Sequence, residues 1–415
     1  MNNISNEPNE KLEAHNSLLL GILSPWSVES VELNVTTKRV DIEVVYDEKE
    51  MVECPDCGKR CPRKDHTEKR TWRHLDTMQF QTLIHARIPR VQCKEDGVKN
   101  VKVPWSEPYS RFTLLFVKFA IDVIKACGNV SDAAHLLNLS WDEIHLIQKK
   151  AVERGLSRRK DEKIKYLGID EKSFRKGRKY ITVLNDLQRQ TVIEVKEGKS
   201  KEVADELLSS LSKKVKRSCE AVAADMDPVF KTAIEENLPD ADIVHDKFHI
   251  SQYLNEALTN VWRDENRRLR KENIETLSGT KFIWITNQEN YSEKQKDTFN
   301  SLKVNLYKVG RGWQIKEAFK KFWSFSYKGN AEKFFKRWYF WATHSKLKPI
   351  IKVAKMLKRN LKYILTYFSH RITNAGSESM NSRIQKIKSN ARGFRNFQFF
   401  RISILFHLGG LNLYP

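Results

Sequence analysis

Three strand-like runs follow one another directly in the middle of the chain: KIKYLGIDEKSF, RKYITVLNDL and RQTVIEVKEG, joined by short polar turns. Alternating apolar and polar residues at this spacing specify an antiparallel meander rather than helices. An amphipathic helical stretch, SKEVADELLSSL, comes next, and then two apolar runs, CEAVAADMDPVF and ADIVHDKFHI. Three strands in a meander, a helix, then strands alternating with helices make an α/β arrangement on a mixed sheet. At 415 residues the chain has room for two or three domains with cores of their own.

Two aspartates stand out in that frame. Asp170 ends the apolar run YLGI, and Asp225 ends AVAA just before Pro228, a residue suited to a helix start. In an open α/β sheet, acidic residues at strand ends are where ligands and metals gather. Asp186 and Asp227 are nearby alternatives, and Asp227 is placed to cap the helix that begins at Pro228.

The charge pattern adds a third carboxylate. Net charge is +22, although residues 1–50 hold ten acidic and four basic side chains, so the excess falls on the rest. From Lys333 to Pro415 there are seventeen Lys and Arg and a single acidic residue, Glu378. Such a surplus implies a polyanionic partner, most simply nucleic acid, over a merely solvated lysine surface. A lone Glu on the first turn of a helix can be a dipole partner worth about 0.3–1 kcal/mol. That role does not explain why every other carboxylate is missing. A phosphate-binding surface does, and it makes Glu378 costly unless a cation compensates. Three carboxylates gathered near 4 Å repel by roughly 4 kcal/mol per pair at intermediate dielectric, so Asp170, Asp225 and Glu378 together call for divalent metal. Two Mg²⁺ or Mn²⁺ ions there would activate water or a DNA 3′-hydroxyl at a scissile phosphate.

Four of the six cysteines lie within residues 54–93. Cys54 and Cys57, in CPDCG, form a knuckle that points two thiolates at one structural Zn²⁺, and Cys93 is the third ligand. Asp96 occupies the position that completes a second knuckle; Cys61, His66, His74 and His85 compete for it. The cysteine usage, the polar N-terminus and the brevity of SLLLGIL point to a cytoplasmic, reducing setting with no membrane span.

Downstream, Ala134, Asn138 and Ile144 sit where a helix-turn-helix needs a small contact residue, a turn residue tolerant of positive φ and a core aliphatic. Ser131 and Ser140 suit the two N-caps. The second helix, carrying Trp141, His145 and Lys149, would read double-stranded DNA. Six of the ten tryptophans fall in residues 255–345, which read as a largely α-helical insertion.

The stretches CPDCG, TWRHLDTMQFQTLIHARIPRVQC, GVKNVKVPWSEPYSRFT, YLGIDEKSF, AVAADM, IVHDKFHI and NAGSESMNSRIQKIKSNARGFRNF resemble, over nearly the full length, bacterial insertion-sequence transposases of the DDE superfamily, ISL-three type. The resemblance implies a multidomain α+β chain. Its parts are an N-terminal helix and β-hairpin (1–50), a zinc-ribbon-like β module (51–108), a helix-turn-helix (109–160), and a ribonuclease-H-like core (161–254 and 346–415) split by the helical insertion (255–345). It implies Asp170, Asp225 and Glu378 as the metal-binding triad, with Asp246 and His249 near the site. Lys388, Arg392 and Arg395 would hold phosphates beside the metals. The implied partners are the element's terminal inverted repeats, target DNA and a second copy of the chain. Where the family has Cys or His, this chain has Asp96. The competing readings are a non-catalytic DNA-binding regulator and a nuclease that cuts without joining.

Overall fold

The computed structural model describes residues 17–18, 20–47, 52–175, 177, 179–245, 247–302, 307–372 and 375–415, without the side chains of 375–378. The chain forms two compact units, one made of Met1–Arg159 with Leu411–Pro415, the other of Lys160–Gly410.

In the first unit, period-two burial along Arg39–Tyr46 (β2) sends Val40, Ile42, Val44 and Tyr46 inward. β2 pairs antiparallel with Trp26–Asn34 (β1), forming the β-hairpin expected within residues 1–50. Val52–Glu53 (β3) pairs with Arg60–Cys61 (β4), and Arg63–His66 (β5) follows. Arg70–Arg73 (β6) and Gln81–Ala86 (β7) then join the hairpin in one sheet of order β1-β2-β7-β6, with β2 parallel to β7. The boundary expected at residue 50 therefore cuts through a sheet. The hairpin and the knuckle share a core in which Trp26, Trp72 and Trp105 meet edge to face at 4.9 and 5.5 Å. Pro89–Cys93 (β8) and Gly97–Asn100 (β9) complete a three-stranded sheet with β5.

Leu114–Cys127 (α1), Val130–Leu137 (α2) and Trp141–Ser157 (α3) form the helix-turn-helix. Asn138 has φ 50° and ψ 50° at the turn, while Ala134 and Ile144 are buried at the helix contact. Ser140 caps α3 in a capping box with Glu143. The cap of α2 is Asn129, not Ser131, because the helix begins two residues earlier than a Ser131 cap requires and Ser131 lies within its first turn. The last five residues return to this unit. Arg154 Nη1 donates to the Leu413 carbonyl at 2.6 Å, Arg158 Nη1 to that of Tyr414 at 2.5 Å, and the Tyr414 hydroxyl to Asp122 at 2.5 Å. Gly155 on α3 permits the approach, since a Cβ there would sit 2.6 Å from Leu411 Cβ.

The second unit is built on Tyr166–Arg175 (β10), Lys179–Asp186 (β11), Thr191–Glu197 (β12), Ala221–Ala224 (β13) and Asp242–His245 (β14). Their order is β12-β11-β10-β13-β14, antiparallel within the meander and parallel from β10 onward. Lys201–Ser209 (α4), Lys213–Ser218 (α5) and Pro228–Asn237 (α6) supply the connections. Leu207, Leu208, Phe230 and Ile234 from them bury against Leu167, Ile169 and Val222.

A helical body follows: Lys247–Lys271 (α7), Lys281–Ile285 (α8), Glu293–Ser301 (α9), Lys308–Lys320 (α10), Lys328–Thr343 (α11) and Lys348–Arg359 (α12). Its core runs from Ile250 to Leu365, wider on both sides than the 255–345 expected, because α7 is continuous across residue 255 and α12 packs on it. Leu361–Leu365 (α13), Tyr367–His370 (α14), Ala375–Asn390 (α15) and Phe397–Leu408 (α16) close the chain's return, with α13 against β14 and α16 against β12. The N-terminus of α10 has no capping side chain of its own. Glu265 of α7, 4 % exposed, accepts from the Lys308 and Val309 amides at 2.8 and 2.7 Å instead.

Removing that acceptor strands two amides, so Glu265→Ala should lower stability by about 2–4 kcal/mol in thermal unfolding, and Glu265→Gln by less. A pH effect should appear in the first unit. The buried His74 ring, bonded to the α1 cap Thr113 at 2.9 Å, is held down to about 4 by desolvation and by Arg73. A ring kept neutral in the fold but free to protonate when unfolded stabilises fully above its ordinary value near 6.5. That contribution should fade as pH falls from there toward 4, and His74→Gln should flatten this part of the stability–pH curve.

Candidate active site and metal centre

The β10–β13 register pairs Tyr166 with Ala221, Leu167 with Val222 and Gly168 with Ala223. Asp170 and Asp225 lie two residues beyond the last of these pairs, near enough for the charge of Asp225 to act on Asp170. Asp225 follows the end of β13 as expected. Asp170 does not end its strand: β10 runs on to Arg175 because β11 continues to pair with it, and only the pairing to β13 stops. The alternatives are occupied elsewhere. Asp186 accepts from the Gln188 and Arg189 amides at 2.9 and 3.1 Å, and Asp227 caps α6 through the Val229 amide.

Asp170 is 8 % exposed; its Oδ2 accepts from Asn381 Nδ2 at 2.6 Å and its Oδ1 from the Glu171 amide at 2.8 Å. Burial pushes its carboxyl above the usual range, Asn381 works against that, and the charge of Asp225 adds to it. Asp225 accepts from the Met226 amide at 2.6 Å and from the Tyr253 hydroxyl at 3.2 Å, and His249 Nδ1 stands 3.8 Å away. Tyr253 is pushed up to about 12, first by burial and then by that carboxylate. His249 and Tyr253 are one turn apart on α7. The donor set is hard oxygen, partly desolvated and doubly acidic, which fits Mg²⁺ or Mn²⁺.

Asn381 belongs to α15, the helix that carries position 378 one turn earlier. The side chain of Glu378, like the whole of Asp246, lies outside the described residues. Further along, Lys172 Nζ bonds the Asn381 carbonyl, Lys388 Nζ reaches the Ser173 carbonyl at 3.3 Å, and Arg175 Nη1 donates to that of Arg395 at 3.1 Å. Arg392 and Arg395 are exposed. Asn381, Tyr253 and Lys172 were not singled out in the sequence. The available signal was spacing: Asn381 is three residues from Glu378, and Tyr253 four from His249.

In the first unit, Cys54, Cys57, Cys93 and Asp96 offer ligand atoms that all lie within 4.8 Å of one another. Cys57 and Cys93 sulfurs are 3.6 Å apart, and Asp96 Oδ2 is 3.3 Å from Cys54 Sγ and 3.4 Å from Cys93 Sγ. Tetrahedral zinc with bonds of about 2.3 Å to sulfur needs sulfurs about 3.8 Å apart, so the set fits the ion. Gly58 and Gly97, each following the second residue of its knuckle, have φ of 72° and 73°, so the two knuckles repeat one turn geometry. Of the competitors, Cys61 bonds the Lys59 carbonyl, His74 bonds Thr113, and His85 lies between Asp41 and Thr71.

On α3, Trp141 and His145 stack at 4.9 Å and Lys149, 3.8 Å from Glu153, continues the same face. Trp141 is 37 % exposed, and burial lowers the His145 pKa.

A five-stranded mixed sheet with two aspartates just beyond its parallel pair, in one chain with a cysteine knuckle and a helix-turn-helix, is the arrangement expected of a DNA-processing enzyme with a ribonuclease-H-like core. Comparison with known proteins agrees. Residues 167–404 match the ISL3-type DDE "Transposase" family model, residues 50–96 match "zinc-finger of transposase IS204/IS1001/IS1096/IS1165", and residues 101–152 match "Helix-turn-helix domain of transposase family ISL3". The chain belongs to the ISL3 family of DDE transposases. It is 25 % identical over 355 residues to "Transposase for insertion sequence element IS1001" of Bordetella parapertussis, covering 85 % of this chain and 87 % of that one. It is also 24 % identical over 373 residues to "Transposase for insertion sequence element IS1557" of Mycobacterium tuberculosis, covering 83 % of each. Among the described residues no helix is long and apolar enough to cross a membrane.

The knuckle geometry makes a direct metal prediction. Purified protein should carry one zinc per chain by elemental analysis; Asp96→Ala should weaken retention against a chelator by roughly tenfold or more, and Asp96→Cys should strengthen it.

Proposed function

We propose that this transposase binds the terminal inverted repeats of its own insertion sequence and carries out Mg²⁺-dependent strand cleavage and strand transfer. The observation that carries the reading is the convergence on one carboxylate: Asp170, two residues past the last β10–β13 pair, feels the charge of Asp225 and takes a 2.6 Å hydrogen bond from Asn381, on the helix of Glu378. Asp170, Asp225 and Glu378 hold the catalytic metals. Two Mg²⁺ or Mn²⁺ ions, when bound, supply activation of the attacking water or 3′-hydroxyl and neutralise charge on the leaving oxygen. The chain's own groups set the geometry: Asn381 orients Asp170, while Tyr253 and His249 orient Asp225. Burial disfavours the charged form of Asp170 and a bound cation would restore it, which ties the site's organisation to metal loading.

The Cys54–Cys57–Cys93–Asp96 knuckle holds a structural zinc. The knuckle and the helix-turn-helix recognise the ends, with Trp141, His145 and Lys149 facing the groove. Lys388, Arg392 and Arg395 contact phosphates beside the metals. Family resemblance further implies a homodimer as the active species. The names of the relatives support this reading; each is called the transposase of an insertion sequence element.

The test is cleavage of a duplex bearing the terminal repeat, with Glu378→Gln as the comparison. Wild type should cut and join with Mg²⁺, and Glu378→Gln should bind the repeat but not cut it. Equal cutting by the two proteins would remove Glu378 from the triad, and cutting without any joined product would reduce the protein to a nuclease. Asn381→Ala should slow cutting by about tenfold to a hundredfold and raise the metal concentration needed, as loss of a ligand-orienting partner does.

A further inference from the structure

Helix α12, KPIIKVAKMLKR, has two unlike faces. Ile350, Ala354 and Leu357 are fully buried against the helical body. On the opposite face stand Lys348, Lys352, Lys355 and Arg359, all exposed. Their spacing of four, three and four residues keeps them on one line, about 16 Å long at 1.5 Å per residue. Like charges at these spacings repel, so the line weakens its own helix.

Several lysines of this unit have a carboxylate beside them: Lys196 pairs with Glu206, Lys201 with Asp205, and Lys336 with Glu332. Lys348, Lys352, Lys355 and Arg359 have no ion-pair partner among the described residues, and from Lys333 to Ser377 the sequence offers no carboxylate at all. A solvated lysine face would not need acids excluded from forty residues of chain; a face that meets phosphate would.

We propose that Lys348, Lys352, Lys355 and Arg359 form a rail for the sugar–phosphate backbone of duplex DNA of any sequence, separate from the residues assigned above to end recognition and the metal site. Its length matches about five phosphates of one strand, which advance 3.4 Å each along the axis. Flexible ammonium groups on one ridge suit backbone contact rather than base reading, which needs fixed bidentate donors. The inference rests on the DNA-processing reading of the chain, and the experiment separates the two.

Full-length protein is titrated against a random-sequence 30-base-pair duplex over a range of salt concentrations, by fluorescence anisotropy. The variant K348Q/K352Q/K355Q/R359Q is compared with K213Q/K214Q/K294Q/K296Q, which removes the same charge from exposed positions elsewhere in the unit. The rail variant should lose tenfold or more in affinity at low salt, and its slope of log Kd against log salt should fall by about 2–4, near 0.9 per lost phosphate contact. The other variant should keep most of the wild-type slope. The rail variant's melting temperature should match or exceed that of wild type, which excludes unfolding as the cause. An unchanged slope, or equal losses in both variants, overturns the rail. So does tighter DNA binding by the rail variant, which would mark the stripe as the seat of an acidic protein segment. If wild type binds no duplex, the DNA-processing reading falls as well. If it cuts repeat ends normally with a rail-independent slope, only the rail falls.

Discussion

The catalytic half of the molecule depends on one strand pairing. β13 is only four residues long, Ala221–Ala224, yet its parallel register with β10 decides whether Asp225 stands beside Asp170 or one residue away. A one-residue slip would turn every side chain of the strand to the other face. The register is fixed from behind, where Leu167, Ile169, Val222 and Ala224 are fully buried with Phe230 and Ile234 of α6. Apolar packing on one face of the sheet thus determines the spacing of charges on the other. The cost of like charge is met locally by donors from three directions: the backbone, α7 and α15.

Helix α7 joins the two kinds of interior in the second unit. Its first turns present His249 and Tyr253 to Asp225, while Ile250, Leu254 and Leu258 enter the helical core. Displacement of that core would be felt at the carboxylate, since a helix of 25 residues transmits shifts along its length. Glu265, further along the same helix, shows another use of a buried carboxylate. It is balanced by the N-terminus of α10 rather than by a cation, and it needs no metal.

Much of this was legible in the chain because it depends on short-range pattern. Period-two alternation marked the meander, the Ala134–Asn138–Ile144 spacing marked the helix-turn-helix, and Asp96 fell into the cysteine cluster because its knuckle repeats the first. What escaped depends on contacts distant in sequence. Nothing local says that β2 will pair in parallel with β7 across the boundary at residue 50. Nor does local pattern show that α7 and α12 bury a common core from Ile250 to Leu365. Capping of α2 by Asn129 in place of Ser131 was a contest between two good caps, settled by Gly128, whose φ of 71° ends α1 and starts the turn. Asn381 was hidden for a simpler reason: an uncharged amide carries no composition signal, and its importance appears only where it meets Asp170.

The return of Leu411–Pro415 to the first unit has a consequence for the order of events during synthesis. Leu413 is buried there and Arg154 and Arg158 of α3 bond its backbone and that of Tyr414. These contacts form only after every residue of the second unit has left the ribosome. A chain that stops short of Leu411 lacks the strap that Gly155 is shaped to receive, so α3 is incompletely held.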